Sequence, residues 1–157
     1  MQELKTFLIK AKKETYANGN AKKTSPLRPN SNDYEYEETI NNNHYLYHDT
    51  YFGTTNFIGE EVIYKNNKPI WAMNYRGYTF DNTLSEDAMD NALRPALMKI
   101  GEDREVLPLR GPSKFVNGDY TYTFETGGDF KNFFGLEKIY KKDKLVYSLS
   151  CQGGEIL

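Results

Sequence analysis

The sequence has little of what several classes of protein require. Its 157 residues include one cysteine, Cys151, and two histidines. A single cysteine excludes an internal disulfide. No run approaches the ~20 consecutive apolar residues of a membrane-spanning helix, and lysines interrupt the apolar positions of the N-terminus, which excludes the apolar region of a signal peptide. We therefore expect a cytoplasmic protein with no membrane partner.

Motifs with a decisive chemistry are also absent. The sequence has no glycine-rich phosphate or dinucleotide loop and no Gly-x-Ser-x-Gly. His44 and His48 flank a Tyr-Leu-Tyr segment in a predicted strand, so they share one face but lie about 13 Å apart, too far for one metal ion. His48 and Asp49 are neighbours in that strand and point to opposite faces. The sequence predicts no metal site and no cofactor.

The net charge indicates which partners to expect, and the aromatic content indicates the fold class. The net charge is −2 and the isoelectric point is near 5.8. A large nucleic-acid interface normally gives a basic face, so nucleic acid is not the expected partner. Aromatic residues are plentiful, with 13 tyrosines and 9 phenylalanines. Because such side chains suit a pleated, half-buried surface, they favour a sheet-rich fold.

The most informative pattern is a repeat. Residues 56–77 align with residues 132–153 without a gap, and nine positions are identical. Average residue frequencies would give about one or two identities by chance. The sequence therefore predicts one domain over residues 1–157 with an internal duplication, in which the repeats are 1–80 and 81–157.

Apolar periodicity predicts a helix at the start of each repeat. The N-terminal residues place apolar side chains at i, i+3, i+4 and i+7, which is typical of an amphipathic helix. A second helix is predicted over about 84–100, where Thr83 and Glu86 have the spacing of a capping box. Pro95 lies inside that pattern, so we expect a kink near Arg94.

Alternating polar and apolar residues predict antiparallel strands after each helix. Residues 58–65 and 70–76 form a predicted hairpin with a tight turn at Asn66-Asn67. The second repeat places strands at about 119–126, 134–141 and 145–151 by the same pattern.

This element order predicts an α+β fold made from a duplicated unit of one helix and antiparallel strands. Two helices cannot enclose about six to eight strands on both faces, so we expect a curled antiparallel sheet or half-barrel packed on two main helices. The residues expected in the core are Leu8, Phe57, Ile63, Leu93, Leu97, Phe133 and Ile139.

Differences between the repeats suggest where a ligand binds, because a single asymmetric ligand would select for divergence at its site. The repeats differ at Glu60, Trp71 and Tyr75. Trp71, Met73 and Tyr75 alternate along one strand and share a face. We predict a ligand-binding surface lined by Trp71, Tyr75, Glu60 and Tyr51. The alternative is divergence without function, in which this wall is ordinary core.

Several segments together are similar to a known family. They include FLIKAKKETYANGNAKK, SPLRPNSNDYEYEE, YLYHDTYFG and IWAMNYRG. They resemble an uncharacterised bacterial family, known only as a domain of unknown function, over nearly the whole chain. Members of that family often follow an Xre-type helix-turn-helix segment in predicted transcriptional regulators. This chain begins directly at its first helix, so we expect it to act in trans or by itself. The resemblance implies no catalytic residues.

These observations predict a non-catalytic binding module for a small molecule or a protein partner, with a regulatory role as an option. Two alternatives stay open. One is a small hydrolase-type enzyme that uses carboxylates such as Asp49 or Glu60 with His48 in a cleft. The other is an interaction protein of phage or defence origin with no pocket. An enzyme needs titratable groups that converge within hydrogen-bond reach, whereas a binding module needs only a cavity.

Overall fold

A computed structural model of the chain describes residues 1–81 and 85–157, apart from the side chain of Ser85. Within these residues, eight strands form one antiparallel sheet with the order β1-β2-β3-β4-β8-β7-β6-β5. The strands are β1 (Asn32–Ile40), β2 (Asn43–Gly53), β3 (Asn56–Lys65), β4 (Lys68–Thr79), β5 (Lys114–Asn117), β6 (Tyr120–Asp129), β7 (Asn132–Lys141) and β8 (Lys144–Glu155).

The helical segments are short. Helix α1 spans Gln2–Glu14, and a second helical stretch consists of α2 (Ser85–Ala88), a π-helical turn (Met89–Leu93) and α3 (Arg94–Leu97). None of the helices in the described part of the chain is long and apolar enough to cross a membrane.

The predicted fold class is wrong. The sheet is open, only 16% of the chain is helical, and the sheet is not packed on two main helices. The apolar pattern predicted a second helix over about 84–100. The observed helical stretch ends at Leu97 and contains a π-helical turn. Most strands have 9 to 12 residues. Alternation along a strand fixes which face is buried, but it does not fix how far a sheet curls.

The predicted hairpins are confirmed, and the two matching segments have the same geometry. Residues 56–77 lie in the β3–β4 hairpin and residues 132–153 in the β7–β8 hairpin. The register shifts after Ile63 in the first hairpin and after Ile139 in the second. In the centre of the sheet β4 pairs with β8, where Tyr75 lies opposite Cys151. These two residues occupy the same position in the sequence alignment of the segments.

The π-helical turn is the local consequence of Pro95. The N–H of Arg94 donates to the carbonyl of Met89, five residues back, and Pro95 has no N–H to continue the ladder. The irregularity expected near Arg94 is therefore present as a π-helical turn. Thr83, part of the proposed capping box, lies outside the described residues.

One face of the sheet forms the core beneath the helices. Six of the seven residues predicted in the core are buried: Leu8, Ile63, Leu93, Leu97, Phe133 and Ile139. Phe57 is only partly buried. Its ring lies over Gly77, where an added Cβ would approach the ring to 2.2 Å. Its free edge lines the cavity described below.

Truncation of a buried side chain in the second helical stretch should lower the free energy of unfolding. Leu93 is fully buried, so Leu93→Ala should destabilise the protein by about 2–5 kcal/mol, because it removes apolar contacts and leaves a cavity. Urea unfolding measures this cost. Met98→Ala is the control, since Met98 is 40% exposed, and it should change stability by less than about 0.5 kcal/mol. Equal effects of the two substitutions would contradict the packing described here.

Candidate functional site

A cavity of about 520 Å³ lies between the buried face of the sheet and the helices. Small-molecule sites commonly have volumes of about 300–1,000 Å³. Strands β2, β3 and β4 provide its floor, the end of α1 provides one wall, and the second helical stretch provides another. The lining residues used below are Lys12, Tyr16, Lys23, Tyr47, Asp49, Tyr51, Phe57, Glu61, Tyr75, Glu86, Met89, Asp90, Arg94 and Arg110.

Asp49 on β2 is the central polar group of the floor. Its side chain is buried, and its Oδ1 accepts a hydrogen bond of 2.6 Å from the Tyr75 hydroxyl. Among the described residues, Tyr75 is the one side chain that donates a hydrogen bond to this carboxyl group. Burial, and next the nearby carboxylate of Glu61, raise the pKa of Asp49 to about 7. The floor therefore carries a carboxyl group that titrates near neutral pH.

Two buried ion pairs surround Asp49. The Lys12 ammonium lies 2.8 and 2.7 Å from the two carboxylate oxygens of Glu61. The Arg110 guanidinium donates two hydrogen bonds, of 3.0 and 2.9 Å, to Glu137. In this cluster three buried carboxyl groups, those of Asp49, Glu61 and Glu137, share two buried cations. Among the described residues, Asp49 is the member of the cluster without an ion-pair partner.

The second half of the sheet lacks the Asp49–Tyr75 pair. Asp49 lies opposite Glu61 in the β2–β3 register, whereas Phe124 lies opposite Glu137 in the β6–β7 register. The position of Tyr75 is taken by Cys151. Burial raises the pKa of the Cys151 thiol to about 12, so this side chain is an inert thiol. The carboxyl group of Asp49 and the hydroxyl group of Tyr75 thus correspond to the apolar side chains of Phe124 and Cys151 in the second half of the sheet.

Aromatic rings enclose the space above Asp49. Tyr16 and Tyr51 pack edge to face with centroids 6.0 Å apart, and Tyr51 packs in the same way on Phe57 at 6.3 Å. The Arg94 guanidinium lies 5.6 Å from the centre of the Tyr16 ring and pairs with Asp90. The walls are therefore largely aromatic, and the arginine that lies beside the Tyr16 ring is paired with Asp90 through its Nη1.

The structure separates the four predicted site residues. Tyr51 and Tyr75 line the cavity. Glu60 lies on the opposite face of the sheet, in a more open groove that also contains Asn74 and Arg76. Trp71 is fully buried, and its ring stacks on Phe130 with centroids 5.2 Å apart. The ligand-binding role of these residues stays a prediction, and Trp71 and Glu60 do not line the cavity that contains Tyr51 and Tyr75.

The histidines do not contribute to the cavity. His48 lies on the opposite face from Asp49, where its Nε2 is 2.9 Å from the buried Asp33. His44 lies in an exposed pair with Glu37. Within residues 1–81 and 85–157, no three His, Cys, Asp or Glu side chains are grouped so that they could bind a metal ion.

Sequence reasoning named Asp49 only for the hydrolase alternative and did not include it in the predicted ligand-binding surface, because the gapless match begins at residue 56. A usable signal lay just upstream. The Tyr-Leu-Tyr of residues 45–47 and the Tyr-Thr-Tyr of residues 120–122 align the preceding strands and place Asp49 against Phe124. That comparison marks the largest chemical difference between the two halves.

The structure defines a single-sheet domain with a partly enclosed cavity that is both polar and aromatic. A family model, Domain of unknown function (DUF5680), matches residues 49–156, and the chain belongs to this family. The match begins at Asp49 and includes β3 to β8, whereas α1 and β1 precede it. No curated protein and no solved structure is significantly similar to the chain.

Proposed function

We propose that this protein is a non-catalytic binding module and that it holds a small molecule in the cavity above Asp49. One observation carries the proposal: a buried carboxyl group, which has no ion-pair partner within residues 1–81 and 85–157, lies on the floor of a cavity with aromatic walls. Burial of an unpaired carboxylate costs stability. Proteins keep such groups mainly where function requires them.

The geometry favours binding over the hydrolase-type alternative. Such an enzyme needs at least two groups that exchange protons near neutral pH. Asp49 is one, but burial raises the pKa of Tyr75 well above its ordinary value, and Glu61 is engaged by Lys12. His48, which that alternative combines with Asp49 or Glu60, lies on the opposite face of the sheet from Asp49. One carboxyl group that titrates near neutral pH supports recognition rather than acid–base chemistry.

The cavity also favours a small molecule over a protein partner. Protein partners need a broad accessible surface, whereas Asp49 is only 3% exposed and lies beneath rings and helices. An interaction protein without a pocket would have no use for this arrangement. A regulatory role would follow if the protein acts together with a separate DNA-binding protein, as its resemblance to domains that follow Xre-type segments suggests.

Internal duplication of a helix-and-strand unit is part of this proposal. It accounts for the matching hairpins and for the pairing of Tyr75 with Cys151 at the centre of the sheet. On this interpretation one half kept the apolar side chains of Phe124 and Cys151, and the other half acquired Asp49 and Tyr75 as a site.

Obstruction of the cavity should abolish binding. Neutral aromatic probes such as indole and 2-naphthol should bind the unmodified protein and shift the amide signals of residues 53–55 at the rim in NMR spectra. Met89 lines the cavity, so Met89→Trp should weaken binding by about tenfold or more, because the larger ring occupies the ligand's space. Calorimetric titration gives the affinities.

The control variant introduces a tryptophan ring at a position outside the cavity. Val116 on β5 is 57% exposed and does not line the cavity, so Val116→Trp should bind the probes like the unmodified protein. Thermal unfolding of both variants shows whether they are folded. Equal affinities in two folded variants, or probe-induced shifts confined to other parts of the sheet, would contradict the proposal.

A further inference from the structure

We infer that the ligand is an organic cation: a protonated amine on a flat apolar body, whose ammonium group binds the Asp49 carboxylate beneath the rings of Tyr16, Tyr51 and Phe57. This inference rests on the proposed function, since it specifies what the same cavity accepts.

The charge balance of the buried cluster is the first support. Lys12 is held by Glu61 and by the carbonyl of Leu109, and Arg110 is held through two hydrogen bonds by Glu137. Neither cation can turn to Asp49 without leaving another buried carboxylate unpaired, which is strongly destabilising. Among the described residues, no buried cation is therefore spare for Asp49, and a ligand can supply one.

Glu137 shows how the fold satisfies the hydrogen-bonding capacity of a buried carboxylate with its own side chains. Glu137 accepts two hydrogen bonds from Arg110 and one each from the hydroxyls of Tyr122 and Tyr147. Asp49 accepts one from Tyr75. A carboxylate can accept about four hydrogen bonds. Asp49 therefore retains capacity for donors, and an ammonium group brings up to three.

The walls suit a cation better than an anion. The faces of tyrosine and phenylalanine rings attract ammonium groups within about 6 Å. An anionic ligand would instead meet Asp49 and Glu61. At the edge of the cavity Arg94 pairs with Asp90 and Lys23 donates a hydrogen bond to Asn32; within the described residues, the buried Nε of Arg94 is left without a hydrogen-bond partner. Glu86, also part of the lining, adds negative charge there.

Binding of a cation should depend on the ionisation of Asp49. The charged groups that face it are Glu61 on β3, Lys12 on α1 and Arg110 in the segment before β5. Its other titratable neighbours are tyrosines, whose pKa values are raised by burial, so they remain neutral over the range of interest. Ammonium affinity should therefore fall as the pH decreases through about 7, as Asp49 takes up a proton.

A matched series of probes tests the inference. Tryptamine, tryptophol and indole-3-propionate present the same ring with an ammonium, a hydroxyl or a carboxylate group. At about pH 8, tryptamine should bind about 10- to 100-fold more tightly than tryptophol, which is the usual gain from a charged hydrogen bond. Calorimetric titration measures each affinity. Indole-3-propionate should bind most weakly.

Two variants test whether Asp49 causes the preference for tryptamine. Asp49→Asn keeps the size of the side chain and an acceptor for Tyr75 but removes the charge, so it should bring tryptamine to the affinity of tryptophol. Glu35→Gln makes the same kind of change at an exposed position on the opposite face and should leave the preference intact. With the unmodified protein, the tryptamine affinity should fall between about pH 8 and pH 5.5 while the tryptophol affinity stays constant; this arm does not depend on the folding of a variant.

The outcomes separate the two proposals. If tryptophol and tryptamine bind equally to the unmodified protein, or if the preference for tryptamine persists in Asp49→Asn, the cation inference is wrong while the cavity remains a binding site. Tightest binding of indole-3-propionate would also overturn the inference alone. If none of these probes, nor indole itself, binds the protein, both proposals fail.

Discussion

Glu137→Gln is expected to lower the free energy of unfolding by about 3–5 kcal/mol, the usual cost of breaking a buried ion pair. Glu137 is fully buried, and its carboxylate accepts hydrogen bonds from Arg110, Tyr122 and Tyr147. Glutamine retains one acceptor oxygen and replaces the other with an NH2 group that faces hydrogen-bond donors. Arg110 would then be a buried cation without a counter-ion.

Chemical denaturation at neutral pH measures this loss. Glu125→Gln is the matched control, because Glu125 lies on β6, the strand next to β7, but is exposed. Surface substitutions of this kind usually change stability by less than about 0.5 kcal/mol. A Glu137→Gln protein as stable as the Glu125→Gln protein would show that the cluster around Glu137 contributes no net stability.

Asp49→Asn is expected to raise the free energy of unfolding above neutral pH, whereas Glu137→Gln lowers it. The pKa of Asp49 rises from 3.8 in the unfolded chain to about 7 in the fold. Between these values the folded protein keeps a proton that the unfolded chain has released, so the stability of the fold decreases as the pH rises. Full ionisation corresponds to a cost on the order of 4 kcal/mol. Asparagine removes this cost and still accepts the hydrogen bond from Tyr75.

The test is the difference in unfolding free energy between Asp49→Asn and the unmodified protein, measured from about pH 4 to pH 8. Groups common to both proteins cancel in this difference. The difference should be near zero at the acid end and grow to about 2–4 kcal/mol in favour of the variant at the alkaline end. A variant that is less stable at about pH 8, or a difference that does not change with pH, would contradict the environment described for Asp49.

The hairpins could be predicted because their determinants are local. Asn66 and Asn67 both adopt positive φ angles, of 50° and 64°, and asparagine tolerates this conformation better than most residues. Alternation in the adjoining strands then decides which side chains are buried, and Ile63 and Ile139 lie in the core as expected. Nothing local records that the sheet stays open, since closure depends on how distant strands pair.

The candidate site was only partly predictable for a similar reason. Divergence between the two segments identified Tyr75, and alternation placed it correctly with Tyr51 on the buried face. The same reasoning selected Trp71, but Phe130, in the turn between β6 and β7, covers its ring. Glu60 lies in a groove on the opposite face of the sheet from Tyr51. The pairing of Lys12 with Glu61, which leaves Asp49 without a cation, joins residues 49 positions apart, and no local pattern reveals it.

The open sheet exposes two edges to other copies of the chain, and each edge is protected differently. On one side β5 has only four residues, too few to template a long partner strand. On the other side β1 carries Glu35 and Glu37, both exposed, and its first residues are covered where the Thr24 N–H donates to the carbonyl of Asp33. Negative charge and a covering loop both oppose edge-to-edge pairing. The outermost strands therefore oppose aggregation, so the two edges can stay open without closure of the sheet into a barrel.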